Sequence, residues 1–142
     1  VYETGSCGAN FDGQNYRIWK EMTFDSAIRL KHAPEGSPLR GIHGHTWALR
    51  LHLNAPLDAV MGWTVDFGDV KALFDPVFKA IDHRPLFENE AIDDGDALSL
   101  ARWVLAQGRA VLPQLDRIDV YETRGNGAIV LASARADELV PV

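Results

Sequence analysis

His43-Gly44-His45-Thr46-Trp47-Ala48-Leu49-Arg50-Leu51-His52-Leu53 alternates in character residue by residue, with Trp47, Leu49, Leu51 and Leu53 apolar while Arg50 and His52 fall between them. That alternation is the pattern of a half-buried β-strand, whose successive side chains point to opposite faces. His43 and His45 share the parity of the apolar set, so both face inward. Two imidazoles spaced this way on a strand can aim at one point, and neutral imidazole binds zinc, copper, iron or nickel. Two ligands do not make a site: structural zinc takes four, and catalytic zinc usually three plus water. On their own His43 and His45 are therefore either metal ligands or a packed, hydrogen-bonded pair.

The 142 residues suit one domain, 1–142, large enough for a hydrophobic core. With 46% hydrophobic and 24% charged residues the composition is that of a soluble globular chain. A formal charge of −6 argues against a general nucleic-acid binder or a binder of anionic membranes, both of which lean on excess Lys and Arg. Cys7 is the single cysteine, which excludes an intrachain disulfide. No apolar run approaches about eighteen residues and no basic-then-apolar leader is seen, so a cytoplasmic location is expected.

Outward from the central strand, Tyr16 to Leu30 reads as strand-like but broken around Glu21–Ser26. A loop with Pro34, Gly36, Pro38 and Gly41 follows it. Asn54-Ala55-Pro56 reads as a breaker, and Ala59 to Val65 as a segment interrupted by Gly62. Asp69 then looks like the N-cap of a helix carrying Val70, Leu73, Phe74, Val77, Phe78 and Ile81, with Pro76 marking a kink or a restart at Asp75. A second helix fits Ala97 to Leu112. Ile118 to Thr123 alternates as a strand, Arg124-Gly125-Asn126-Gly127 has hairpin composition, and Ala128 to Ala132 returns. The order strands, helix, helix, strands predicts an α+β domain with two helices on one face of an antiparallel sheet. Val1–Ala9 also resembles Val120–Ala128, by chance or as a trace of duplication.

Two further groups carry chemistry. Asp82 precedes His83, so a carboxylate can orient an imidazole for proton transfer, unless His83 merely caps the preceding helix. Glu122 has the parity of Ile118 and Val120, which turns a carboxylate toward the core side, where it wants a partner or a ligand. A pterin or guanine ring offers adjacent N–H groups that suit it; a strand-end bulge would instead turn it to solvent. Arg29, Lys31, His32 and Arg40 cluster before His43, either as a phosphate or carboxylate cradle or as ordinary surface cations. Cys7, between Ser6 and Gly8, is either a mobile nucleophile or an inert thiol. Phosphate-loop, dinucleotide and nucleophile-elbow motifs are absent.

Several of these segments, in this order, resemble the family containing 6-pyruvoyltetrahydropterin synthase and its bacterial relative 6-carboxytetrahydropterin synthase. The likeness runs from about Tyr16 to Ala128. Phe24-Asp25-Ser26-Ala27-Ile28-Arg29-Leu30 is similar to the family's first strand, and His43-Gly44-His45 to its metal-binding His-Gly-His. Trp63–Asp69 is similar to its lead into the first helix, Asp82-His83-Arg84-Pro85-Leu86 to its catalytic Asp-His segment, and Glu122-Thr123 to its ring-anchoring Glu-Thr.

The resemblance implies the tunnelling fold, a four-stranded antiparallel sheet with two helices. It also implies assembly into a homo-oligomer, a tetramer or hexamer, with sites between subunits. It implies a pterin or purine ligand anchored by Glu122 and Thr123, proton transfer by His83 and Asp82, and a metal site at His43 and His45. The family's substrate is 7,8-dihydroneopterin triphosphate, cleaved by a carbon–oxygen lyase reaction on zinc held by three histidines.

The chain departs from this pattern at the chemistry itself. Ile28 stands where the first zinc histidine is expected, and Leu39 where the bacterial relatives carry a cysteine. Gly95-Asp96-Ala97-Leu98-Ser99 replaces the family's Pro-Thr-x-Glu-Asn. The expectation is a diverged member that keeps a pterin or purine pocket, with a weakened metal site and either altered lyase chemistry or binding alone.

Overall fold

A computed structural model of the chain describes residues 15–56, 67–92, 95–123 and 125–132. The elements follow in the order β1 (Asn15–Ile28), a 3-10 turn (Pro38–Arg40), β2 (His43–Pro56) and α1 (Phe67–Lys79). A second 3-10 turn (Leu86–Glu88), α2 (Ala97–Val111), β3 (Leu115–Thr123) and β4 (Asn126–Leu131) complete them. The strands form one four-stranded antiparallel sheet in the order β1-β2-β3-β4. Among the described residues no helix is long and apolar enough to cross a membrane.

β1 is continuous, where the sequence suggested a break at Glu21–Ser26. It pairs residue for residue with β2 from Asn15↔Pro56 to Ile28↔His43. The polar residues that mimic a break stand on one face and find partners across the strand: Glu21 accepts from Arg50, and Asp25 accepts from Thr46. On the other face Phe24, Ser26 and Ile28 are buried. Asn54-Ala55-Pro56 likewise extends β2 instead of ending it, because β1 continues alongside.

The expected α+β architecture is present. Val70, Phe74 and Val77 of α1 and Leu100, Ala101, Val104 and Leu105 of α2 share one core with Trp47, Leu49, Leu51 and Leu53 of β2 and with Leu115, Ile118 and Val120 of β3. Each such side chain contributes roughly 1.5–3 kcal/mol on leaving water. Phe24 stacks on Trp47 at 6.4 Å and meets Phe78 edge-on at 6.2 Å, which ties β1, β2 and α1 together. α1 begins at Phe67, two residues before Asp69, and runs through Pro76 as one helix with no restart at Asp75. α2 is capped by Asp96, whose carboxylate accepts the Ser99 N–H at 3.2 Å. Gly108 lets this helix close on β3: a Cβ there would stand 2.5 Å from Leu115 Cδ2.

The sheet face turned away from the helices is not simply solvated. His52 and Asp119 on it are fully buried, and Arg117 nearly so. His52 Nε2 lies 3.1 Å from Asp119 Oδ2, and Arg117 donates to both carboxylate oxygens at 2.7 and 3.1 Å. Burial pushes the Asp119 carboxyl up, but hydrogen bonds from His52 and Arg117 outweigh it and hold the group below its ordinary value. Beside this cluster the Arg50 guanidinium lies over the Trp19 ring at 4.4 Å and the Tyr121 ring at 5.7 Å.

Candidate functional site

The site forms where the turn after α1 is laid across the end of β1. Four contacts fasten it. The Ser26 hydroxyl donates to the Ile81 carbonyl at 2.6 Å, and the His83 N–H donates to the Asp25 carbonyl at 2.6 Å. The Asp25 N–H donates to Asp82 Oδ1 at 3.3 Å, and Ala27 bridges Pro85. Held this way, His83 adopts φ +57°, a left-handed conformation that residues with a Cβ rarely take. Its ring is 75% exposed, and its Nδ1 lies 2.9 Å from Asp82 Oδ1. A carboxylate this close can orient the imidazole. The turn thus brings Asp82 and His83 together at the surface beside the end of β1.

An open hollow beside this turn is lined by His83 and Arg84 on one side and by Asp25, His45 and Thr46 on the other. A second hollow, on the β3 side of β2, is lined by Trp47, Arg50, Tyr121 and Glu122. Thr46 lines both. His45 Nε2 stands 3.3 Å from Glu122 Oε1, so the contact joins the two hollows. The approach lacks hydrogen-bond geometry, and Nε2 is buried without a hydrogen-bond partner. Glu122 is 36% exposed: it follows the parity of Ile118 and Val120 but stands at the mouth of the core. A register shift between Tyr121 and Thr123 lies at this point of β3. Burial first, and then the Asp119 charge, push the Tyr121 phenol up, so it stays protonated and donates to Asp119 at 3.3 Å.

His43 and His45 do share a face, with ring centroids 6.2 Å apart. His43 Nδ1 lies 2.9 Å from the Gly41 carbonyl. The register places Ile28 opposite His43 and Ser26 opposite His45. Ile28 is 4% exposed and its hydrocarbon closes the third corner. Among the described residues no three His, Cys, Asp or Glu side chains converge to hold a metal. The residues present therefore do not fit a three-histidine zinc centre. Leu39, in the first 3-10 turn, offers no ionisable group.

Thr123 ends β3 opposite Asn126, but its side chain lies outside the described residues, as do Cys7, the Val1–Ala9 segment and the Ala59–Val65 segment. In the cation cluster, Arg29 lies over the Phe87 ring at 4.8 Å and Arg40 donates to the Ala33 carbonyl at 2.9 Å, so both serve local packing. Sequence reasoning missed Ser26 and Thr46 as site-forming residues. Only strand register brings them to His45 and His83.

The sequence profile of the 6-pyruvoyl tetrahydropterin synthase family matches residues 17–133. A dihydroneopterin monophosphate aldolase of Pyrococcus furiosus is 30% identical over 109 residues, 75% of this chain and 89% of that protein. The fold is similar to that of the Caenorhabditis elegans 6-pyruvoyl tetrahydropterin synthase, with a TM-score of 0.72 at 19% identity over 84% of this chain and 96% of that one. An uncharacterised protein of Wolinella succinogenes gives 0.66, also at 19% identity, over 84% of this chain and 99% of its own.

Proposed function

The chain belongs to the 6-pyruvoyl tetrahydropterin synthase family, and on that footing we propose that it binds a pterin or purine ring through the Glu122 carboxylate, in a pocket completed by another copy of the chain. The observation that carries this is the position of Glu122. It is half-exposed at the end of β3, within 3.3 Å of His45 and beside a hollow that Tyr121 also lines. A carboxylate at the mouth of a hollow can accept two parallel N–H donors from one heterocycle edge while the ring rests on the surface beside it.

Fluorescence titration with neopterin, and competition with guanosine, tests this directly. Glu122→Gln keeps the shape and removes the charge. The expected loss is about 10-fold to 100-fold in affinity, the range of a charge-assisted hydrogen bond. An unchanged dissociation constant in a folded variant removes Glu122 from the role. Light scattering of the same sample reads the assembly; a stable monomer that binds as tightly would refute completion by a second copy.

A catalytic role is favoured by one further observation, the 2.9 Å Asp82–His83 contact, which sets an imidazole base at the edge of the hollow that His45 also lines. A dihydroneopterin phosphate held by its ring would present its hydroxylated side chain to that base. Removal of a side-chain hydroxyl proton can lead to carbon–carbon cleavage, and removal of a carbon-bound proton to loss of a phosphate group. The Pyrococcus furiosus relative, by its name, points to the first. Incubation with 7,8-dihydroneopterin monophosphate and triphosphate separates them: release of glycolaldehyde phosphate marks the aldol route, release of inorganic triphosphate the lyase route. No product from either leaves binding alone.

A further inference from the structure

We infer that Ile28 is the residue that keeps a transition metal out of an otherwise preserved two-imidazole cradle, so that one substitution at this position converts the hollow into a metal centre. His43 Nδ1 donates to the Gly41 carbonyl at 2.9 Å, which fixes the tautomer and leaves Nε2 with its lone pair. His45 Nε2 is buried, has no hydrogen-bond partner and points toward Glu122 at 3.3 Å. Two ligand-ready nitrogens thus stand on rings 6.2 Å apart, on one face of one strand.

The missing corner is set by register. Ile28 lies directly opposite His43, on the same face, and directly opposed residues of an antiparallel pair hold their Cβ atoms about 4.5–5.5 Å apart. A side chain at 28 therefore stands beside His43, on the face that the two imidazoles share. Ile28 lies beside Gly95, which presents no side chain to it: a Cβ added at Gly95 would stand 3.7 Å from the Ile28 Cβ. Replacing one branched hydrocarbon by one imidazole of similar bulk supplies the third nitrogen. Nothing in this depends on what the second hollow binds.

The test titrates Co(II), followed by its d–d absorption, and Zn(II), followed by calorimetry, into metal-stripped parent protein and Ile28→His. The variant is expected to take one metal per chain with tetrahedral Co(II) bands, about 100-fold more tightly than the parent, and to lose that gain when His43→Ala is added. Ile28→Cys, smaller and able to supply a thiolate, serves if the histidine variant does not fold. Tight stoichiometric binding by the parent overturns the inference, because its shell would then be complete without position 28. So does a folded variant that binds no better than the parent. Neopterin binding to the stripped parent is measured alongside. Its failure would sink the heterocycle pocket and leave the metal result standing.

Discussion

The hydroxyl of Ser26 donates to the main-chain carbonyl of Ile81 across 2.6 Å, and through that bond a strand residue facing His45 in the register holds the turn that carries Asp82 and His83. Ser26→Ala leaves the Ile81 carbonyl with only the longer bond, 3.3 Å, from the Arg84 N–H. The expected cost is about 0.5–1.5 kcal/mol in urea denaturation, with Ser26→Thr recovering part of it. A variant as stable as the parent would show that the turn is held without this bond.

His83 stands at φ +57°, so the backbone there prefers glycine. His83→Gly should keep stability within about 1 kcal/mol of the parent, while His83→Val, β-branched, should lose roughly 1–2 kcal/mol. Both abolish turnover if His83 is the base, yet leave ring binding nearly intact. Equal loss of binding in the two would place His83 in the ring pocket instead.

Asp119 gives the fold an acid limit. Its pKa is depressed in the folded chain, so the stability it contributes is complete above the ordinary carboxylate value of 3.8 and is lost as pH falls below that through the folded value. Melting temperatures from about pH 7 to about pH 2 should fall steeply at the acid end for the parent and less steeply for Asp119→Asn. Asp119→Ala at neutral pH, which strands the Arg117 guanidinium, should cost about 3–5 kcal/mol.

Gly108 is a packing requirement rather than a flexible joint. A Cβ would stand 2.5 Å from Leu115 Cδ2 and 3.5 Å from Phe74 Cε1, so Gly108→Ala should destabilise by about 1–3 kcal/mol despite alanine's better helix propensity. A stabilised variant would mean that Leu115 turns aside freely.

The helix-facing side of the sheet was legible in the chain because burial there is apolar and periodic: Trp47 to Leu53 showed the face, and the parity of Ile118 and Val120 carried Glu122 to the edge of it. The opposite side was not legible. His52 falls between apolar residues as a solvent-facing one would, whereas it is buried against Asp119 and Arg117, which bond each other within β3 and meet His52 only through the β2–β3 register. The same cause hid the continuity of β1, whose Glu21 and Asp25 are matched by Arg50 and Thr46 one strand away. Asp82 next to His83 was visible as a pair, but its anchorage to Asp25 and Ser26 spans more than fifty residues of chain.

β2 is paired with β1 along its whole length, from Pro56 to His43, while its described pairing with β3 runs only from Leu53 to Ala48. The end of the sheet bearing the two imidazoles is thus a ribbon flanked on one side, and ribbons twist more freely than sheets gripped on both. A guest held at Glu122 would act as a splint, drawing the tip of β3 inward and slowing amide exchange along 43–47 while the middle of the sheet stayed as it was.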